Sequence, residues 1–281
     1  MSVLQDQIRA ALETAVRDSK APGAVAYVGD IEHTHAHVAF GARQLLPDNQ
    51  PVEIDTIYDL ASVTKVIATT TAIMLLNESG AVDLEAPVSK YLPFPAFSTI
   101  TVKHCLTHTA GLNPGKPFYK DCNSIDAMLA RYAEIPLKWT PGSRWLYSDV
   151  GFMVLGRIVE KTSGETLDVF CQKRIFDPLD MKDTRYNPPA KWVTRCAATE
   201  SCPWRGRIMI GQVHDENAYA VGGVAGHAGL FGTTTDIAKF IRALLTGKLL
   251  KPETVDRMMN LNVTPAWPWQ GLGWQLDAWP S

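Results

Sequence analysis

Ser62 is the only serine in the chain with a lysine three residues on, Lys65. A serine hydroxyl is a weak nucleophile at neutral pH, so an enzyme that uses one must place a base within hydrogen-bond reach. Residues three apart on a helix share a face, which lets the Lys65 amine turn back toward Ser62 Oγ. Burial at the positive end of a helix favours the neutral amine that the proton transfer needs. The same helix end offers the Ser62 N–H to a developing oxyanion. A Ser-x-x-Lys arises by chance roughly once in a chain of this length, usually as a helix cap and a solvated lysine. Context decides for chemistry here, because the pair opens the most apolar helical segment, SVTKVIATTTAIMLLNE, directly after TIYDLA.

That segment must be a helix for the pair to meet. From Ser62 to Glu78 it holds neither Gly nor Pro, and Gly80 follows where a C-terminal cap is expected. Its β-branched residues oppose a helix, but its length exceeds a strand. Before it, Leu4, Ile8, Leu12 and Val16 are four apart and predict an amphipathic helix. AVAYVGD and HTHAHVAFGAR, on either side of the polar Asp30 to Glu32 break, predict a β-hairpin. Residues 84 to 180 read as mostly helical, with Phe152, Leu155 and Val159 on one buried face. Residues 187 to 227 show no clear period, TTDIAKFIRALLTG predicts a helix ending at Gly247, and GLGWQLDAWPS reads as a closing strand.

Taken in order, YDLASVTK, ITVKHCLTHTAGL, PGSRWLYSDVGFMVLGRIVEKTSG, IFDPLDMKDTRY, GGVAGHAGLFGTTTDIAKF and GLGWQLDAWP resemble the landmarks of one family. It is the group of class C β-lactamases, DD-peptidases and esterases of β-lactamase fold. The resemblance implies an α/β fold: an antiparallel sheet flanked by helices, built from residues 1–65 and 181–281, with a mostly helical subdomain, 66–180, inserted in a single catalytic unit. It implies a covalent acyl-enzyme at Ser62 with Lys65 as base. It places Tyr147 where the family has the tyrosine of a Tyr-x-Asn, a phenol that relays a proton to the leaving group. Asp149 stands where that motif has Asn, and a carboxylate cannot donate the hydrogen bond of an amide. Tyr119 and Asp121 share the spacing but not the surrounding landmark. The family's third motif, Lys or His, then Thr or Ser, then Gly, is absent from the sequence. His227-Ala228-Gly229 is superficially like it but lies in an earlier landmark. Asp149 and His227 are therefore read as substrate-binding candidates. The implied substrates are small esters, β-lactams or D-amino-acid peptides. With the last strands of the scaffold missing, the expectation is weak activity and self-association through exposed sheet edges. A binding or scaffold protein with impaired catalysis is the alternative.

Other chemistries find less support. The 27 basic and 29 acidic residues leave no basic excess for nucleic acid. No apolar run reaches the roughly 18 residues that span a bilayer, and the first twenty residues are charged throughout, so no membrane partner and a cytoplasmic location are expected. Five scattered cysteines suit reduced thiols, with no metal and no cofactor expected. His104 and His108 read as structural. His214-Asp215-Glu216 reads as a polar loop that could line the cleft or hold a metal, though one His with adjacent acids is far more often plain surface. Trp192, Trp204, Trp267 and Trp269 line a groove or anchor loops.

Overall fold

A computed structural model describes residues 3–260 and 269–276. The amphipathic start forms α1 (Val3–Arg17), which packs on the hairpin of β1 (Gly23–Gly29) and β2 (Thr34–Gln44). Asp30 closes that hairpin, accepting from the Glu32 and His33 N–H groups at 2.8 and 2.7 Å. The pairing is antiparallel, from Gly23 opposite Gly41 to Gly29 opposite Thr34, and β3 (Gln50–Pro51) lies on the far side of β2. Within this sheet β2 is central and β1 and β3 are the edges, and α1 buries no residue completely.

After β4 (Tyr58–Asp59) the chain turns at Ala61, held in the left-handed region at φ 45°, and enters the nucleophile helix. The expected helix forms, but its first part, Lys65–Thr70, is a π-helix that passes into α2 (Thr71–Glu78), with Gly80 at φ +79° just beyond. The β-branched residues explain the wider turn. Thr71 Oγ1 donates to the Val66 carbonyl at 3.1 Å, meeting an acceptor inside the helix, while Thr69 Oγ1 ties the helix to the Gly226 carbonyl at 2.7 Å.

Helices α3 (Val102–Leu106), α4 (Ile125–Ala133), α5 (Asp149–Ser163) and α6 (Leu167–Cys171) follow. Ser148 caps α5, and Val150 through Gly156 are all buried, as expected of a helix enclosed on every side. One contiguous core joins α2 and α5 to Phe240, Leu250 and Met258 near the other end of the chain. A short sheet seats the nucleophile turn. In it β8 (Leu230–Gly232) lies between β4 and β5 (Arg185–Tyr186), with Asp59 opposite Phe231. The architecture is thus α/β, antiparallel sheets with helices packed between and around them.

Two expectations are corrected. Residues 187 to 227, without visible period, contain the hairpin of β6 (Ala198–Cys202) and β7 (Arg207–Ile210), and a shift in register between Ala198 and Ser201 breaks the alternation that would have revealed it. They also hold the short helix α7 (Glu216–Ala220), ahead of α8 (Thr234–Leu245) and α9 (Pro252–Met258). The closing strand is the second. Over 271–276 the chain makes a tight turn, Gly271 N–H to Trp274 O at 2.8 Å, with a lone bridge from Gln270 to Gln275. Residues 277–281 and Trp267 lie outside the described residues. All five cysteines are buried and unpaired, and among the described residues no helix is long and apolar enough to cross a membrane.

Candidate active site

Ser62 is exposed at the mouth of the turn, while Lys65 is 3% exposed beneath it. Lys65 Nζ donates to Ser62 Oγ at 3.0 Å and to the His227 carbonyl at 3.0 Å, and pairs with Asp149 Oδ1 at 2.8 Å. Three acceptors therefore surround an amine that has three protons when charged. The Tyr147 and Phe152 ring centroids lie 4.9 and 5.8 Å from it, an aromatic wall that also suits a cation.

Above the amine is a cavity of about 230 Å³ lined by Asp59, Ala61, Ser62, Asp149, His214, Asp215, His227 and Ala228. Asp59 shapes its floor: Oδ1 accepts the Ala61 N–H at 2.8 Å, fixing the strained turn before the nucleophile, and Oδ2 accepts the His214 N–H at 2.7 Å. Burial pushes the Asp59 carboxyl up, opposed by those two N–H groups. Asp215 is anchored to His227 Nε2 at 2.9 Å and to the Ala218 N–H at 2.7 Å, capping α7. Burial acts to raise its carboxyl too, yet the hydrogen bond and charge of His227 outweigh burial and hold it at about 2. His227 itself is 2% exposed, and its Nδ1 is buried without a partner.

Tyr147 meets Lys65 through its ring face, and His108 holds that ring. The His108 and Tyr147 centroids are 4.5 Å apart, His108 Nδ1 accepts the Ser148 N–H at 3.1 Å, and the His108 carbonyl accepts the Leu146 N–H at 2.8 Å. Burial first, and then the charge of Lys65, push His108 down to about 3. The folded protein thus keeps this imidazole neutral where the unfolded chain, near 6.5, takes up a proton. Stability should be complete above about pH 6.5 and fall by about 1.4 kcal/mol per pH unit toward pH 3. Urea midpoints between pH 4 and 7 check this. The slope should flatten in His108→Gln, and an unchanged slope would show that other groups set the acid sensitivity.

The five residues singled out in the sequence, Ser62, Lys65, Tyr147, Asp149 and His227, come together in one site. The rival Tyr119 does not: its ring packs on Trp204 at 4.6 Å, and Asp121 pairs with Arg131. His104 caps α3 with Thr101, a structural role as expected. The polar loop, expected as plain surface, is corrected: His214 and Asp215 line the cavity beside Ser62. Asp59 was not singled out at all, and His108 was set aside as structural. Glu200, Cys202 and Glu216 bring donor atoms within 4.8 Å of one another away from Ser62, where Arg205 Nε donates to Cys202 Sγ at 3.1 Å.

Known proteins resemble the chain in sequence and fold. An inferred D-alanyl-D-alanine carboxypeptidase of Salmonella agona is 35% identical over 260 residues, covering 79% of this chain and 60% of the relative. The chain therefore spans about 60% of the length of the curated relatives it matches. Among solved structures, simvastatin synthase of Aspergillus terreus matches with a TM-score of 0.71 at 28% identity, over 92% of this chain and 70% of that one. The D-amino acid amidase of Ochrobactrum anthropi, at 24% identity and a TM-score of 0.75, shares the fold over 92% of this chain and 75% of its own. The family model described as Beta-lactamase matches residues 8–281, and with these relatives it establishes that the chain belongs to the Beta-lactamase family.

Proposed function

We propose that this chain is a serine hydrolase working through a covalent acyl-enzyme on small esters, β-lactams or D-amino-acid peptides. One observation carries this: a buried lysine amine 3.0 Å from the hydroxyl of an exposed serine at a strained turn. In acylation, Ser62 Oγ bonds to the substrate carbonyl carbon and its proton passes to Lys65 Nζ, while the Ser62 N–H faces the oxyanion. Tyr147, against Lys65, relays that proton from Lys65 to the leaving group as the carbonyl re-forms and the bond to the leaving group breaks. Water then attacks the ester and releases the acid. Asp149 favours the charged lysine, so the base role requires that ion pair to loosen when substrate enters. The relatives named for carboxypeptidase and amidase chemistry support cleavage of a carbonyl–nitrogen bond.

The same ion pair favours a second reading, a binding or scaffold protein whose lysine stays charged and whose turnover is impaired. A fluorophosphonate probe separates the two. Its phosphorus should bond to Ser62 Oγ with loss of fluoride, located by peptide mass mapping. A stable adduct on another serine with Ser62 untouched removes the nucleophile, and a protein that never labels supports the scaffold.

A further inference from the structure

The hairpin of β6 and β7 contributes nothing to the lining of the cavity over Ser62, yet a residue of its turn reaches the segment that does. Arg205 stands in that turn, half-buried, its guanidinium 4.8 Å from the centre of the Tyr219 ring. Its Nε donates to Cys202 Sγ at 3.1 Å, Nη1 to the Val213 carbonyl at 2.7 Å and Nη2 to the His214 carbonyl. Two successive carbonyls are thus held by one planar fork, which the point charge of an ammonium cannot reproduce. Among the described residues no backbone N–H reaches either oxygen. The Val213 side chain is buried with Ile57 and Phe231, which fixes where the segment begins but not how its peptide planes turn.

The peptide unit between Val213 and His214 is gripped at both edges. Its carbonyl accepts from Arg205, and its N–H donates to Asp59 Oδ2 at 2.7 Å. Because the unit is planar, a rotation that frees one edge carries the other away from its partner. From Asp59 the connection runs to the nucleophile, since Oδ1 holds the Ala61 N–H at 2.8 Å and Ala61 is the strained residue before Ser62. From His214 it runs to Asp215, whose Oδ1 meets His227 Nε2 at 2.9 Å, and the His227 carbonyl accepts from Lys65 at 3.0 Å. We propose that Arg205 is a positioning residue for acylation: by fixing the 213–215 backbone from outside the cavity, it holds the Ala61–Ser62 turn and the carbonyl on Lys65 in place. This rests on Ser62 as nucleophile. Arg207 supplies the comparison, because it lies on β7 of the same hairpin but donates to the Gln212 side chain and not to the 213–214 peptide.

Ser62 labelling by the fluorophosphonate over a range of probe concentrations tests the proposal in Arg205→Gln, Arg205→Lys and Arg207→Gln. Both Arg205 variants should lower the limiting rate about tenfold, the scale of a nucleophile displaced by a fraction of an ångström, while the half-saturating concentration moves less than about twofold. A loss of folded protein alone lowers the fraction labelled and leaves that rate unchanged. Arg207→Gln should match the parent. Amide hydrogen exchange, read by mass spectrometry, should rise over residues 59–63 and 213–216 in the Arg205 variants only. Arg205→Lys keeps the charge and the alkyl stem, so it carries the test if Arg205→Gln does not fold. A parental limiting rate in a folded Arg205 variant overturns the proposal, as does a loss confined to the half-saturating concentration or an equal loss in Arg207→Gln. If Ser62 of the parent never labels, the nucleophile reading fails instead. Exchange over residues 59–63 then still reads the clamp, and exchange unchanged in the Arg205 variants overturns it.

Discussion

Replacing Lys65 by arginine should slow acylation of Ser62 by at least about 10²-fold, the usual scale for a positioned base, and alanine or glutamine should do no better. A guanidinium stays protonated at any working pH, so arginine keeps the charge beside Asp149 but cannot accept the serine proton. It is also too large for a pocket in which Ser62 Oγ, Asp149 Oδ1 and the His227 carbonyl all lie within 3.0 Å of one nitrogen. Alanine fails differently, by leaving the Asp149 carboxylate and the buried His227 carbonyl without their donor, which should lower stability as well. Labelling rates with the fluorophosphonate, read beside thermal midpoints, separate the two effects. Near-normal acylation by a folded Lys65→Arg protein would exclude the base role.

How legible this site was depends on how local its contacts are. Ser62 and Lys65 could be paired from sequence because three residues of helix fix their geometry. Asp149 and Tyr147 came from the likeness of a whole segment. His214 could not be assigned, since its tie to the site is a hydrogen bond to Asp59 across 155 residues that no local pattern encodes. Asp215 became interpretable only once the 212–228 segment brought its carboxylate to His227. The amphipathic helices and first hairpin were readable because one face of each meets one neighbour. The last segment misled because GLGW has the alternation of a strand, whereas Gly273 takes φ +77° and approaches Thr70 so closely that a side chain there would overlap its hydroxyl. The π-helical start of the nucleophile helix was hidden for a related reason. Its threonine hydroxyls bond across to the 226 segment, and only the tertiary partner reveals the wider turn.

Gly226→Ala should be among the most damaging small substitutions in the chain, although it adds one methyl to a loop. Three hydrogen bonds stitch that loop to the nucleophile helix: Thr69 Oγ1 to the Gly226 carbonyl at 2.7 Å, Lys65 Nζ to the His227 carbonyl at 3.0 Å, and the Leu230 N–H to Thr64 Oγ1 at 3.1 Å. On its other side the loop lies against α5, at Phe152 and Gly156. A Cβ on Gly226 would overlap the Phe152 carbonyl oxygen and lie 3.0 Å from the Gly156 nitrogen. Both are backbone atoms of a buried helix, so the loop must move, and it can do so only by shifting the His227 carbonyl against Lys65. The expected loss is about 3 kcal/mol or more, the upper range for overpacking, with Ser62 labelling slowed at least tenfold in the protein that still folds. Gly156→Ala should be milder, since its Cβ would stand 3.0 Å from the Gly226 Cα and the loop can yield slightly. Gly222→Ala is the control. It meets no atom within 4 Å, and only its φ of +96° disfavours a side chain, so it should cost about 1–2 kcal/mol and spare labelling. Urea unfolding and labelling rates of the three variants give the order directly. A Gly226→Ala protein within 1 kcal/mol of the parent, labelling normally, would show that the loop does not brace Lys65.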